Sequence, residues 1–160
     1  QDLTFGKFLG TINPTKFIGK STYKLYEKQV EIIEAVTAGQ NRSTTITIKF
    51  SSCPASADFI AHTQTGKLLD KALISTITKP SQEVGINQIK QQIYFENATV
   101  ISCSDTQACN GTMATTVVLR PERICWIYQN YDRSGKALPP TTNGFDLKSG
   151  QTWTVTPPNF

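Results

Sequence analysis

The residues from Thr115 to Tyr128 are the stretch that most constrains the fold of this chain. Apolar and polar side chains alternate along it, with Val117 and Leu119 on one face, and the alternation resumes after Pro121. Such alternation predicts a β-strand with one buried face, because successive side chains of a strand point to opposite sides. Proline has no N–H to give to a neighbouring strand, so Pro121 predicts a bend or a bulge. A long, bent strand near the end of a chain is typical of one that closes a sheet.

Short strands separated by turn signals are predicted along the rest of the chain. The strands are predicted at residues 3–12, 23–36, 45–50, 71–79 and 86–103. Polar turns are predicted between them at residues 13–14, 37–43 and 80–85. The 23–36 stretch has a mixed pattern that would also suit a helix, and a strand is favoured because a clear strand follows it. A kink is predicted at Asn97, within the last of these strands.

A single helix is predicted between Pro54 and Gly66. Ser56 is expected to be its N-cap and Asp58 to lie in its first turn, where a carboxylate favours the helix dipole. The residues expected to face inward at helical spacing are Phe59, Ile60 and Thr63. Several strands and one helix in 160 residues predict one mainly β domain, either a closed barrel or a sandwich, with a less ordered tail from about residue 149.

The cysteines suggest a disulfide rather than a metal site. Five residues separate Cys103 from Cys109, and this spacing in a polar segment favours a short loop closed by a disulfide. Such a bridge would place the protein in an oxidising compartment. Zinc is the alternative, but structural zinc usually binds closer cysteine pairs together with histidines, and His62 is the only histidine. No metal site is therefore predicted.

The charge and hydropathy patterns argue against nucleic-acid and membrane partners. The net charge is +4, and the sixteen basic residues are scattered rather than gathered into a run that would bind nucleic acid. No apolar run approaches the roughly 18 residues needed to span a bilayer. The chain opens at Gln1 rather than at a methionine, which fits either the removal of a signal peptide or a trimmed chain.

No constellation of residues predicts catalysis or a cofactor. His62 follows Cys53, Ser56 and Asp58 closely in the sequence, but a Cys–His dyad needs an activated thiolate and a third, orienting group. A histidine with satisfied hydrogen bonds, or an exposed one, is the favoured interpretation. No glycine-rich phosphate loop is present in the sequence. The chain is therefore predicted not to be an enzyme.

The remaining candidate side chains also have structural interpretations. Glu27, Glu31 and Glu34 could cluster, and a solvated strand edge is favoured over acid–base catalysis by these carboxylates. Trp126 is expected in the core. For Phe145, the core and an interface are both open.

The order of the elements resembles a known family. After the helix come a strand, a long kinked strand with the sequence Ile-x-Phe-Glu-Asn-Ala-Thr-Val-Ile-Ser, and the strand that opened this section. These pieces resemble Hcp, the haemolysin-coregulated tube protein of type VI secretion systems, over residues from about 44 to 148. The family commonly has a Trp-x-Tyr and a Gly-Trp-Asp-Leu-Lys motif. The matching residues here are Trp126, Tyr128, Gly144, Phe145, Asp146, Leu147 and Lys148.

The resemblance implies a fold, an assembly and partners. The fold is a small closed β-barrel with one short α-helix packed on its side. The assembly is a ring of identical subunits, a hexamer in the family, and the rings stack into a tube that is secreted with effectors inside or at its tip. The implied partners are other copies of the chain and the spike or effector proteins of the secretion system. Lys90, Gln92 and Thr99 would give the lumen a polar surface.

Two departures from the family pattern leave an alternative open. The family usually has a long Gly-rich loop that helps one ring contact the next, and the corresponding segment 37–43 is short. A disulfide is not part of the family pattern. The alternative is a monomeric, secreted or periplasmic module or effector that kept the barrel and lost ring stacking.

Overall fold

The computed structural model describes residues 2–12, 16–78 and 88–160. In this part of the chain, the predicted mainly β fold with a single helix is confirmed. The strands are β1 (Asp2–Leu9), β2 (Val30–Gln40), β3 (Ser43–Ser51), β4 (Leu69–Thr78), β5 (Gln88–Gln107), β6 (Met113–Arg120), β7 (Arg123–Tyr128), β8 (Thr141–Asp146) and β9 (Gln151–Thr152), and the helix is α1 (Pro54–Thr65). The turns predicted at 13–14 and 80–85 lie outside the described residues.

Six antiparallel strands pair into a closed ring. Their order is β1-β2-β3-β6-β5-β4, and β4 pairs again with β1. Strands β7, β8 and β9 extend from β5 outside this ring. Each of the six strands therefore has a partner on both sides over part of its length, while the β7–β8–β9 extension forms a wing beside the ring.

The predicted long, bent strand is confirmed as β6 followed by β7. Both pair with β5 in one continuous antiparallel direction, and β6 is separated from β7 by Pro121 and Glu122. Asn97 bends β5 at the same level, with a left-handed φ of 53°, a conformation that asparagine tolerates better than most residues. The N–H of Glu122 donates to the carbonyl of Glu96 at 3.2 Å. We call this paired break in the two strands the double bend.

The inside of the ring is filled by apolar side chains, and the helix closes it. Phe59 of α1 is fully buried and contacts three phenylalanine rings. Its ring centroid lies 5.0 Å from those of Phe8 and Phe17, in edge contacts, and 5.8 Å from that of Phe50. Edge-on aromatic pairs contribute about 0.5–1.5 kcal/mol each beyond the area they bury. Phe59 thus joins α1 to β1 and β3.

The helix begins earlier than predicted. Its N-cap is Cys53 rather than Ser56, because Pro54 at the first helical position has a φ already suited to a helix. Ser56 instead accepts a hydrogen bond from the N–H of Cys53 at 3.1 Å. The predicted end at Gly66 is confirmed, with a φ of 69°. Asp58 therefore lies beyond the first turn.

The face of the helix that packs inward also differs from the prediction. The buried helix residues are Ala55, Ser56, Phe59 and His62. Ile60 is 37% exposed, so the prediction that it faces the core is wrong. The buried residues Ala55, Phe59 and His62 follow the spacing of one helix face, and Ile60 lies beside this face.

The hairpin of β2 and β3 is longer than predicted. Strand β2 begins at Val30, so the predicted strand at 23–36 is confirmed only in its second half. The predicted turn at 37–43 is wrong, because pairing between β2 and β3 continues to Gln40 and Ser43. Only two residues connect the strands, and Arg42 has a positive φ of 61°, as short hairpin connections require.

Candidate functional surfaces

The Gly144–Lys148 motif lies where β8 leaves β7, and its glycine is explained by a close chain crossing. Gly144 pairs with Cys125. The N–H of Trp153 donates to the carbonyl of Gly144 at 2.9 Å. A Cβ atom at Gly144 would lie 2.0 Å from the carbonyl oxygen of Trp153. Only glycine lets the C-terminal tail pass this close to the strand.

The carboxylate of Asp146 closes the turn after β8. One oxygen accepts the backbone N–H groups of Lys148 and Ser149 at 3.0 and 3.1 Å. The other accepts from Nε of Arg123 at 3.2 Å. The N–H of Ser149 and the guanidinium of Arg123 both hold the pKa of Asp146 below its usual value. Arg123 also reaches Glu96 at 3.4 Å, so this ion cluster ties β5, β7 and β8 together.

An apolar cleft lies between the motif and the tip of the β2–β3 hairpin. Phe145, which is 43% exposed, and the half-buried Trp126 and Leu147 form its apolar wall. Its volume is about 420 Å³. Trp126 and Leu147 also pack against the main core. Phe145, whose position the sequence left open, therefore lies at a surface cleft rather than inside the ring.

A basic cleft adjoins the apolar cleft at the double bend. Its charged lining consists of Arg42, Arg120, Lys148 and Glu122, around a volume of about 280 Å³. The three cations are exposed, and none forms an ion pair within the described ranges. The cations come from three separate parts of the sequence, so the sequence pattern did not reveal them. The bend signals at Asn97 and Pro121 were the available clue.

His62 has a structural role in the core. It is 3% exposed, and its Nδ1 lies 2.8 Å from the carbonyl oxygen of Asp58. Its Nε2 accepts the N–H of Thr11 at 3.3 Å. The Nδ1–H tautomer satisfies both contacts. The predicted interpretation of a histidine with satisfied hydrogen bonds is confirmed, and burial raises the pKa of the neighbouring Asp58.

A chain of hydroxyl groups anchors the start of the helix. The fully buried Thr115 donates to a carboxylate oxygen of Asp105 at 2.7 Å. Its oxygen therefore accepts from Ser52 and Ser56, at 2.9 and 2.8 Å. No cluster of three or more His, Cys, Asp or Glu side chains suited to a metal ion occurs among residues 2–12, 16–78 and 88–160.

The four cysteines are free thiols. The loop predicted between Cys103 and Cys109 is wrong, because β5 continues to Gln107 and pairs there with Met113. The extended chain from Cys103 to Gln107 spans about 13 Å, whereas disulfide-bonded residues have Cα atoms within about 7 Å. The two thiols cannot meet while this hairpin is formed. Burial also raises the pKa of Cys103 to about 11.

The C-terminal tail crosses the outside of the sheet. Five residues form one row of paired positions across β8, β7, β5, β4 and β1, namely Gly144, Cys125, Tyr94, Leu73 and Lys7. The row is about 19 Å long, and the extended residues 153–160 can span about 23 Å. The tail therefore has the length needed to cover the whole row. The contacts between the tail and the paired residues lie along this row.

Trp153 stacks on Tyr94, with ring centroids 6.0 Å apart. The Cys125 thiol donates to the carbonyl of Val155 at 3.8 Å. Lys7 lies 4.6 Å from the centroid of the Phe160 ring. We call this covered side the strapped face. Burial, together with the hydrogen bond to Glu96, raises the pKa of Tyr94.

The opposite part of the outer surface is uncovered. Two rows of paired residues cross β2, β3, β6 and the end of β5, with side chains pointing away from the buried Ile48 and Val117. The rows are Val36, Thr47, Val118 and Ser102, and Glu34, Lys49, Thr116 and Ser104. None of the eight side chains is buried. We call this polar surface the bare face.

The residues predicted to line a lumen do not share one surface. Lys90 forms an ion pair with Asp2 at 3.1 Å, and Gln92 donates to Ser75 at 3.3 Å. Thr99 lies beyond the double bend and lines the basic cleft.

No helix in the described part of the chain is long and apolar enough to cross a membrane.

Comparison with solved structures identifies the fold. Hcp1 from Salmonella typhimurium is similar over 95% of this chain and 99% of its own, with a TM-score of 0.76 and 15% identity. A type six secretion system protein is similar over 96% and 100%, with a TM-score of 0.80 and 16% identity. The secreted protein Hcp3 from Pseudomonas aeruginosa is similar over 91% and 98%, with a TM-score of 0.70 and 16% identity.

These similarities show that the chain has the Hcp fold, and they confirm the resemblance to Hcp at the level of the fold. No protein-family model and no curated protein sequence matches the chain.

Proposed function

We propose that this chain is an Hcp-like tube subunit of a type VI secretion apparatus. The observation that carries the proposal is the extent of the fold similarity, which covers 96% of this chain and all of a type six secretion system protein. A similarity of this extent leaves only a few residues of this chain unmatched. In this role the subunits form rings, and the assembled protein is exported.

The proposed role is structural rather than catalytic. His62 and the serines near it are the side chains in the sequence that most resemble catalytic groups. Their polar atoms form hydrogen bonds that hold the helix in place. The surfaces that remain are suited to contact with other proteins. The part of the bare face on β3, β6 and β5 carries hydroxyl and charged side chains, and we assign this part to the lumen, where a wet surface can pass folded effectors without binding them tightly.

Electron microscopy and light scattering of the purified chain test this proposal. The expected result is ring-shaped particles with the mass of several subunits, six in our proposal. A particle that stays monomeric at high protein concentration would refute the tube role.

A second candidate is a protein with the Hcp fold that does not stack. The two-residue connection between β2 and β3 favours it, since no long loop projects from this hairpin towards a neighbouring ring. The same experiment separates the candidates: single rings that never lengthen would support loss of stacking, whereas tubes would exclude it. Monomers would support a secreted module that acts alone.

A further inference from the structure

Strand β2 has an exposed edge that the ring does not use. After Ile32 the strand leaves β1, and residues 34–40 pair only with β3 within the part of the chain that the structure describes. Two apolar side chains project there, Ile33 at 65% exposure and Val36 at 48%. An exposed strand edge of this length has unpaired backbone groups, and proteins usually protect such edges or use them for binding.

Two acidic side chains lie at this edge, Glu34 on its unpaired part and Glu31 just before it, where β2 still pairs with β1. Glu31 and Glu34 are exposed, and neither forms an ion pair within the described ranges, although Lys49 lies opposite Glu34 in the ladder. The carboxylates that do form ion pairs in the described residues are Asp2, Glu96 and Asp146. We call Glu31, Ile33, Glu34 and Val36 the acidic edge.

The basic cleft and the apolar cleft together complement the acidic edge. The two clefts share Arg42, Thr44 and Leu147 in their linings, so they form one continuous depression. One half presents the cations of Arg42, Arg120 and Lys148, and the other half presents Phe145 and its apolar neighbours. A segment with alternating carboxylates and aliphatic side chains matches both halves, by charge and by hydrophobic contact.

The acidic edge cannot reach the cleft of its own molecule. The ladder from Glu34 to Gln40 extends for about 20 Å, and the depression begins only at the far end of this ladder, at Gly39. The two surfaces are therefore different patches on one molecule. Such patches join copies of a chain head to tail, and a head-to-tail contact closes into a ring when the rotation between copies allows it.

We propose that the acidic edge of one copy of this chain docks into the basic cleft of a second copy, and that this contact joins neighbouring subunits of the ring. The inference rests on the proposed ring-forming function and names the surfaces that make the ring. Because the contact is largely electrostatic, ring formation weakens as salt shortens the screening length from about 8 Å at 0.15 M to about 3 Å at 1 M.

Charge reversal on the full chain tests the contact. The cleft variant is R120E/K148E, and the edge variant is E31K/E34K. Each variant alone meets like charge at the contact, so its ring-to-monomer midpoint concentration should rise at least about tenfold in analytical ultracentrifugation at low salt. The control matched to the cleft variant is R133E/K136E, which makes the same change in net charge as R120E/K148E on an exposed loop and should form rings like the parent chain.

Mixing the two variants gives the decisive measurement. In an equimolar mixture, the unchanged acidic edge of the cleft variant meets the unchanged basic cleft of the edge variant, and the two reversed surfaces also match. Rings that alternate the two variants should therefore reappear at the parent midpoint. Circular dichroism confirms that each variant is folded before mixing.

Three results would overturn the inference. If the cleft variant forms rings like the control, or if the mixture of folded variants stays monomeric, the contact is wrong while the proposed function stands. If the parent chain itself forms no rings, both the contact and the proposed function fail.

Discussion

The strapped face and the bare face belong to the same sheet, yet the chain covers one and leaves the other open. On the strapped face, Tyr94 and Cys125 point outward and are fully buried, because the tail and Trp153 cover them. On the bare face, Thr47 and Thr116 point outward and stay in contact with solvent. The strapped face has an additional apolar layer, and the bare face has none. The difference indicates which side of the sheet is covered by the chain itself and which side is exposed to other molecules.

The largest expected effect separates the two faces by truncation. Tyr94→Ala should lower the free energy of unfolding by about 3–5 kcal/mol, because it removes a buried ring that stacks on Trp153 and leaves a cavity. Thr47→Ala, at an outward position on the bare face, should change it by no more than about 0.5 kcal/mol. Urea unfolding of both variants measures the contrast. Equal losses would show that the two faces do not differ in packing.

Two glycines provide a smaller and more local contrast. Gly144→Ala should cost about 1–3 kcal/mol, since the new methyl group collides with the backbone of Trp153 and pushes the tail outward. Gly39→Ala, on the exposed part of β2, has no atom within 4 Å of the added methyl group and should be neutral or slightly stabilising. Thermal unfolding is the measurement. A neutral Gly144→Ala would mean that the tail does not lie on the sheet.

The carboxylate of Asp146, in the turn after β8, predicts that the stability of the fold depends on pH. The pKa of Asp146 is lower in the folded chain than in the unfolded chain, so its stabilising effect is complete above the ordinary value of about 3.9 and is lost as the pH falls below it. Asp146→Asn should therefore flatten the fall in stability in acid while lowering stability at neutral pH. Unfolding curves measured from neutral pH to about pH 2 test this. An unchanged acid slope would exclude the role of Asp146.

The rate of thiol labelling in the folded chain reports on the opening of the tail. The exposed Cys109 should react quickly and the covered Cys125 slowly, and all four thiols should react after denaturation without reductant. Trp153→Ala, which removes the strap's contact with Tyr94, should speed the labelling of Cys125 about tenfold, as expected for an opening made easier by roughly 1.4 kcal/mol. Mass spectrometry identifies each labelled site. Fewer than four reactive thiols would restore the predicted disulfide.

The contrast between the faces also explains what the sequence predicted and what it did not. The double bend was predicted because proline and asparagine act on the backbone locally. The turn at 37–43 and the loop after Cys103 were wrong for a common reason. Both segments belong to exposed strands near the bare face, and polar strands resemble loops in composition. The register with buried partners such as Ile46 holds them extended, and that information lies elsewhere in the sequence.

The functional surfaces were harder to predict than the fold. Trp126 and the Gly144–Lys148 motif were found by their order along the chain, whereas the cations of the basic cleft meet only when β3, β6 and the turn after β8 are assembled. The tail's path was also beyond local patterns. Its contacts with Tyr94 and Lys7 depend on the strand order of the finished sheet, and its two prolines, Pro157 and Pro158, only indicate that it does not continue as a strand.

The crossing of the tail fixes where anything joined to the end of this chain would emerge. Phe160 lies beside Lys7 on β1, at the far end of the row that starts at Gly144. A passenger domain fused after Phe160 would therefore project from the strapped face and leave the bare face clear. A passenger fused through a linker that replaces residues 153–160 would emerge from the β8–β9 corner instead, close to the basic cleft. The choice of fusion point would decide whether the passenger domain lies outside the proposed ring or blocks its contacts.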